Sequence, residues 1–423
     1  MANTRITRNI SSGSTTNKFT LSFWIKKSAT HTNDEWLFEN YNSGSARTWV
    51  RFNLDTGSPR LEVSEYTGSY IFRKVTNRVF RDVGAFYHIH IQFDSTQSTD
   101  TNRLKIYING VQETSFAQTN HPALNATSII GNTGNQYLGY SENSNGAYFS
   151  GIMSHAHFCH GYSYGADSFG STDSTTGEWK INTSPSVTYG ALGWFWLKDT
   201  NATTDSSPNS NTFTVGSGTL TKTEDSPSNV FATLNPLVYS SVSKTYAHGN
   251  NSITASASGD WCSTQSTMGA SSGKYYCEIK INDEGSYQAI GVGYQPNITN
   301  SNSIQLIGEL TGSFGWRNNG TTKSDDVNGT LTSYATGDIL MIAMDLDNQK
   351  LYFGKNGTWV NSGVPTSGST GTGSVKNLTA NEFYHFVICP RGGSNYCNFG
   401  NGYFATTAVS SAGTNASGIG IFE

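Results

Sequence analysis

Between Gly337 and Trp359 the chain reads GDILMIAMDLDNQKLYFGKNGTW. Apolar residues fill Ile339 to Met344, Asp345-Leu346-Asp347-Asn348 interrupts them, Lys350 to Phe353 resumes, and Lys355-Asn356-Gly357 closes. Two short apolar runs, split by Asp and Asn and ended by Asn-Gly, predict antiparallel strands joined by polar turns. The first run is too short and too unbroken for an amphipathic helix. The stretch FYHIHIQFDSTQSTDTNRLKIYINGV follows the same plan, with Phe86 to Phe93, then Asp94 and a polar loop, then Leu104 to Ile108 and Asn109-Gly110. The chain is expected to build one kind of object twice.

The rest of the N-terminal part supports that expectation. From Lys18 to Lys26 the alternation puts Phe19, Leu21, Phe23 and Ile25 on one face and Thr20, Ser22 and Trp24 on the other. Arg5 to Asn9, Trp36 to Phe38, Thr48 to Leu54, Arg60 to Val63 and Tyr70 to Val75 read as further short strands, as do Thr127 to Gly131, Gln136 to Tyr140 and Tyr148 to Cys159. Strands at this spacing predict a two-sheet sandwich. From Tyr164 to Leu237 the texture becomes turn-rich, broken by the compact apolar strand GALGWFWLKDT. By composition, residues 199–243 read as a flexible linker. However, Trp194, Phe195, Trp196, Phe213, Phe231 and Leu234 are costly to leave in water. The segment is therefore expected to be strapped along one or both sandwiches, holding the domains in fixed relation.

Composition narrows the class. Of 423 residues only 13% are charged, 13% are aromatic and 45 are Gly, a balance that favours an all-β protein over a helical one. A net charge of −4 and a pI near 6.1 argue against a nucleic-acid partner. The basic clusters Arg73-Lys74 and Arg78 to Arg81 are too sparse to reverse that and read as a solvated strand face. No apolar run approaches the roughly 20 residues of a membrane-spanning helix, so membrane insertion is not expected. The opening MANTRITRNISSGS lacks the apolar core of a signal peptide, and the expectation is synthesis in a cytoplasm without secretion. Cys159, Cys262, Cys277, Cys389 and Cys397 have no metal-type CxxC spacing and are expected as buried reduced thiols.

KFTLSFWIKKS, FYHIHIQFD, NRLKIYINGV and the late Gly-led strand GIMSHAHF occur in an order that resembles the laminin-G-like branch of the concanavalin A-like lectin/glucanase fold. The resemblance covers about residues 1 to 170. It implies a jelly-roll sandwich with a concave face used for glycans, and in some members calcium near loop carboxylates. Asp94, Asp100 and Asn102 have the chemistry for such an ion, and equally that of a plain polar turn. No other cofactor is expected. Glycan hydrolysis needs two carboxyl groups at a set separation. The Glu-x-Asp-x-x-Glu pattern of the glucanase branch is absent, and Asp34-Glu35-Trp36-Leu37-Phe38-Glu39 has the wrong spacing. His88 with His90, and His155 with His157, alternate on strands near His160. They could bind a metal in pairs, but the plainer expectation is partly exposed, aromatic-flanked strand histidines. No nucleophile triad or phosphate loop is visible, so no enzyme activity is expected.

The connector carries a second resemblance. A laminin-G-like domain, then DSFGSTDSTTGEWK, GWFWLKD and SPSNVFATLNPL, then a second sandwich is similar to virion structural proteins of marine tailed bacteriophages. This implies a non-enzymatic tail fibre, tail appendage or capsid-decorating protein, made in a host bacterial cytoplasm and resident in the virion. Further on, SSGKYYCEIKI, AIGVGY, SFGWRNNG, the Gly337–Trp359 stretch and FYHFVICPRGGSNYCNFG resemble a SPRY domain. Tyr276, Glu278, Phe353 and Phe399 are read as strand residues, with Gly291, Gly293 and Gly315 allowing close packing. SPRY domains bind partners through loops, here Gly259 to Thr267, Gln295 to Ser303 and Trp316 to Asp326. Trp261, Trp316 and Arg317 are the candidate ligand anchors, with core or rim packing as the plain alternative.

These readings combine into an all-β chain of two jelly-roll sandwiches. They comprise a laminin-G/concanavalin A-like domain at 1–198, a connector at 199–243, a SPRY domain at 244–410 and a tail at 411–423. The expected partners are other virion proteins, host cell-surface glycans and further copies of the chain in a homo-oligomer or symmetric array. A bacterial carbohydrate-binding or glycan-hydrolysing protein of the same fold is the competing reading. An intracellular SPRY adaptor is a third.

Overall fold

The computed structural model describes residues 4–28, 33–144, 147–198, 203–238, 242–256, 261–294, 306–309, 311–413 and 418–423. Among these residues there is no α-helix, only strands and short 3-10 turns, and hence no helix long and apolar enough to cross a membrane. The chain divides into two compact units. One is Met1–Lys222 with Ser226–Ser228, and the other is Thr223–Asp225 with Asn229–Glu423.

The first unit begins with β1 (Arg5–Ile10), β2 (Lys18–Lys27), β3 (Glu35–Ser43), β4 (Ala46–Asn53), β5 (Arg60–Thr67) and β6 (Tyr70–Val79). Next come β7 (Phe86–Asp94), β8 (Leu104–Ile108), β9 (Val111–Gln112), β10 (Phe116–Asn120) and β11 (Gly134–Leu138). It ends with β12 (Gly151–His160), β13 (Gly170–Thr172), β14 (Trp179–Ile181), β15 (Trp194–Trp196) and β16 (Thr214–Ser217). An eight-stranded sheet in the order β10-β6-β5-β4-β3-β11-β1-β16 faces a six-stranded sheet in the order β15-β12-β2-β7-β8-β9. The alternation in β2 acts as the pattern predicts. Phe19, Leu21, Phe23 and Ile25 all enter the shared core. Phe72 of the larger sheet lies 6.5 Å from Phe19 and 5.5 Å from Phe93 of the smaller one, which is a sandwich contact.

The second unit repeats the plan with β17 (Lys244–Ala247), β18 (Ser252–Ala255), β19 (Thr264–Gln265), β20 (Lys274–Asp283), β21 (Tyr287–Tyr294) and β22 (Ser313–Arg317). Then follow β23 (Thr321–Ser324), β24 (Val327–Thr330), β25 (Ile339–Asp345), β26 (Lys350–Lys355), β27 (Thr358–Trp359) and β28 (Lys376–Asn377). The last are β29 (Tyr384–Arg391), β30 (Gly393–Asn398), β31 (Tyr403–Phe404) and β32 (Thr407–Ala408). One sheet runs β17-β18-β30-β20-β25-β26-β27, with β28 also on β26, and the other runs β19-β29-β21-β22-β23-β24. Trp316 of the second stacks on Phe353 of the first at 5.5 Å.

The two stretches read as twins are twins in structure. Asn109-Gly110 has φ of 50° and 76°, and Asn356-Gly357 has 49° and 78°. Both turns therefore carry two left-handed residues, the geometry that Asn-Gly supplies most readily. Several expectations need correction. Thr127 to Gly131 forms an isolated bridge, Ser128 to Thr16, and not a strand. Phe399 lies just beyond β30. The edge strands β10 and β16 gave no apolar signal, because nearly all their side chains are exposed.

The stretch 199–243 is shared between the units. In the first unit β16 pairs with β1, and Phe213 packs 5.2 Å from Trp194 and 5.1 Å from Trp196. In the second, Leu234 is buried and its N–H donates to the Asn250 carbonyl at 2.9 Å. The tail also joins the second unit. Phe422 packs on Tyr276 at 4.8 Å, and the Glu423 N–H donates to Glu278 Oε2 at 3.0 Å.

Candidate functional site

In β4 and β5 the core takes Val50, Phe52, Leu61 and Val63. Strand alternation therefore turns Arg47, Trp49, Arg51, Glu62, Ser64 and Tyr66 to the outer face of the eight-stranded sheet. Register extends these into rows. Tyr137, Glu39, Trp49, Ser64 and Arg73 lie side by side across β11, β3, β4, β5 and β6. Tyr41, Arg47, Tyr66 and Tyr70 form a second row, and Trp36, Arg51 and Glu62 a third.

The rows interlock as a pavement of rings and guanidinium groups. Arg47 lies 4.6 Å from the Trp49 ring, Arg51 5.2 Å from Trp36 and Arg73 5.0 Å from Tyr70. Trp49 and Tyr70 are 6.2 Å apart, and Tyr66 meets Tyr70 edge-on at 5.3 Å. Trp36 and Trp49 are buried beneath their neighbours, whereas Tyr70 is 39% exposed. Cation–π contacts of this kind are each worth about 0.5–2 kcal/mol and fix ring orientation.

The carboxylates on this face are engaged. Glu62 accepts from Arg51, Arg73, Asn53 and Ser64, and Arg51 also pairs with Asp34. Burial alone would raise the Glu62 pKa, but Arg51, Asn53 and Arg73 bring it below the ordinary value. Glu39 accepts from the Glu142 N–H at 2.7 Å and lies 3.6 Å from Arg47, yet burial prevails and pushes it up to about 7. Glu35 and Glu39 are four residues apart and would share a face on a regular strand. A bulge between Trp36 and Phe38 instead pairs Glu35 with inward Phe52 and Glu39 with outward Trp49. Glu35 consequently meets Lys27 inside the sandwich.

The residues singled out in the sequence fare differently. Asp94 accepts from Thr96 Oγ1 at 2.5 Å, the Thr96 N–H at 3.1 Å and Gln97 Nε2 at 2.9 Å, and Lys18 Nζ lies 3.3 Å away. Asp100 and Asn102 lie in an exposed 3-10 turn, where Asp100 accepts from the Thr101 N–H. With Asp94 filled by donors, this trio does not fit a calcium ion. Among the described residues no group of three or more His, Cys, Asp or Glu is placed to hold a metal. Trp316 is fully buried and donates from Nε1 to the Thr332 carbonyl at 2.9 Å, which corrects its reading as a surface anchor. Trp261 and Arg317 do come together, with the guanidinium 5.7 Å from the ring, and Tyr287 flanks Trp261 at 6.2 Å. Of the candidate loops, residues 259–260 and 295–303 lie outside the described residues. Gly291 and Gly315 do permit close packing, since a Cβ would meet the carbonyls of Phe314 and Ile307. All five cysteines are buried.

The strand histidines are the largest departure. His88 and His90 are fully buried and His157 nearly so, not partly exposed. The outer face of the six-stranded sheet, where they lie, packs under Tyr164, Phe169 and Tyr189. Single-strand periodicity could not reveal this, because the covering residues lie far along the chain.

Residues 3–161 match a family described as the concanavalin A-like lectin/glucanases superfamily. No curated protein matches the chain. Among solved structures, the SPRY domain of human HERC1 is similar at 18% identity and TM-score 0.31, covering 39% of this chain and 96% of that one. The TRIM65 PSpry domain is similar at 13% identity and TM-score 0.31, covering 43% and 90%. The heptameric SAP-like pentraxin from Limulus polyphemus is similar at 16% identity and TM-score 0.27, covering 37% and 70%. Residues 3–161 thus resemble a lectin/glucanase-type fold, which is compatible with carbohydrate binding.

Proposed function

We propose that the protein is a non-enzymatic, glycan-binding structural component of a bacteriophage particle, with the outer face of the first unit's eight-stranded sheet as its binding surface. The observation that supports glycan binding is the ring-and-guanidinium pavement ending at exposed Tyr70, with Tyr66, Arg73 and Asn120 around it. An aromatic face stacks on the apolar face of a sugar ring, and guanidinium and amide groups donate to its hydroxyls. Rings held by stacked arginines lose little freedom on binding. A binding role suits this face better than hydrolysis, since the Glu62 oxygens are filled by Arg51, Arg73, Asn53 and Ser64. The virion assignment rests on the order of sequence segments. Other virion proteins, and the chain itself in a symmetric array, are its proposed partners.

Glycan arrays probed with the full chain and with Tyr70→Ala test the binding. Saccharide binding that the substitution weakens at least tenfold is expected, and no binding to any host-surface glycan would remove the reading. Mass spectrometry and cryo-electron microscopy of purified particles test the placement. Absence of the chain from particles would break it.

A further inference from the structure

We propose that residues 162–189 form an acid-released cover over the outer face of the first unit's six-stranded sheet, latched by the neutral imidazoles of His88, His90 and His157. This inference is independent of the glycan-binding reading, which concerns the opposite sheet.

The latch is built from both sides. The sheet contributes Ser22 and Trp24 from β2, His88 and His90 from β7, Tyr107 from β8, His157 and Cys159 from β12, and Phe195 from β15. The cover contributes Tyr164, Phe169, Trp179 and Tyr189. Trp179 stacks on His88 at 5.9 Å, Phe169 lies 5.4 Å from His90 and 5.0 Å from His157, and Tyr189 stacks on His157 at 6.1 Å.

The hydrogen bonds define the protonation state. Trp179 Nε1 donates to His88 Nδ1 at 3.0 Å, and an indole nitrogen can only donate. His88 Nδ1 therefore carries no proton, and its Nε2 donates to Ser22 Oγ at 2.8 Å. His90 Nε2 donates to the Tyr164 carbonyl at 3.0 Å, which leaves Nδ1 buried without a partner. A second proton on His88 would oppose the Trp179 N–H. On His90 it would create a buried donor with no acceptor. His157 Nδ1 shares a hydrogen bond with the Tyr189 hydroxyl at 2.9 Å. Each latch bond thus joins the sheet to the cover and is compatible with the neutral ring.

Little nearby charge could compensate an imidazolium. The facing titratable groups are Tyr107, His155, Cys159 and Tyr189, with Asp167 in the cover acting on His90, Asp205 accepting from the Phe195 N–H at 2.8 Å and acting on Tyr189, and Lys198 lying 5.8 Å from the Phe195 ring. Burial holds His90 down at about 4, against the Tyr164 carbonyl and Asp167, and keeps His88 and His157 well below the ordinary range. A lowered histidine binds protons less readily closed than open. The closed state is therefore favoured fully above about pH 6.5 and progressively less as pH falls toward about 4. Opening would expose Trp24 and the imidazoles as a new aromatic face.

Hydrogen exchange of the full chain between pH 7 and pH 4, corrected for intrinsic rates, tests this. Below about pH 6.5 the opening constant of 162–189 is expected to rise by up to about tenfold per pH unit for each histidine that gains a proton, while β2 and β7 stay protected. His90→Phe, which retains a ring between Phe169 and Tyr107, should lower that slope by one proton. Corrected protection of 162–189 that is constant to pH 4, or lost only together with β2 and β7, would overturn the proposal in the unsubstituted chain alone. An unchanged slope in His90→Phe would remove His90 from the latch.

Discussion

Arg51 and Glu62 face each other across β4 and β5, with Arg51 Nε and Nη2 both directed at Glu62 Oε2 at 2.9 and 2.8 Å. Glu62 Oε1 accepts from Arg73 Nε at 2.9 Å, so one buried carboxylate holds two guanidinium groups of the outer face in place. Replacing Glu62 with Ala takes this carboxylate from Arg73 and leaves Arg51 with Asp34 alone. We expect a loss of about 3–5 kcal/mol in denaturant unfolding, since breaking a buried ion pair strands its partner. The lowered pKa gives this network a sign. Its contribution is present above about pH 4.5 and is lost as pH falls further.

Glu65 carries the opposite sign. It faces inward, accepting from Thr48, Ser128 and the Ile129 N–H, and burial pushes it up to about 7. A carboxyl raised in the folded state favours folding below its unfolded pKa of about 4.5 and loses that contribution as pH rises through about 7. Glu65→Gln keeps the acceptor and removes the ionisation. It should exceed the parent in stability at pH 8 by up to about 3 kcal/mol, with the gap closing near pH 5. Urea titrations at the two pH values measure this.

Trp261 and Trp316 of the second unit separate under substitution. Trp316→Ala empties a core position stacked on Phe353 and should cost about 3–5 kcal/mol. Trp261→Ala, at a half-buried position beside Arg317, should cost less than about 2 kcal/mol. Equal, small losses in denaturant unfolding would return Trp316 to the surface.

The twin turns offer an internal control. Gly110 and Gly357 share a left-handed φ, but a Cβ on Gly110 would lie 2.4 Å from the Trp179 ring, whereas one on Gly357 meets nothing within 4 Å. Gly357→Ala should cost about 1 kcal/mol from backbone strain. Gly110→Ala should cost at least about 1 kcal/mol more and quench protection of the β13–β14 hairpin, read by thermal unfolding and hydrogen exchange.

Much of the fold was legible because alternation is a local property. The β2 pattern placed Phe19, Leu21, Phe23 and Ile25 in the core, and Asn-Gly placed two turns with the same backbone geometry. The candidate sites were less legible. Trp316 and Trp261 look equally suited to a surface in sequence, and only their positions, within β22 and in the segment before β19, distinguish them. Asp94 has a calcium ligand's chemistry until Lys18, Thr96 and Gln97 are seen to fill it.

By itself, the sequence determined the all-β class, the two-fold repetition of the sandwich plan and most inward-facing strand residues, because side-chain direction on a strand depends only on parity. Tertiary structure decided three further things. A bulge reversed that parity between Glu35 and Glu39, separating an inward ion pair from an outward one. Cross-strand register assembled Trp36, Arg47, Trp49, Arg51, Tyr66, Tyr70 and Arg73 into one surface, from four strands. Tyr164 and Trp179, 74 and 91 residues further along the chain than His90 and His88, cover them. Each depends on which distant backbone pairs or packs with which, and single-strand periodicity does not encode that.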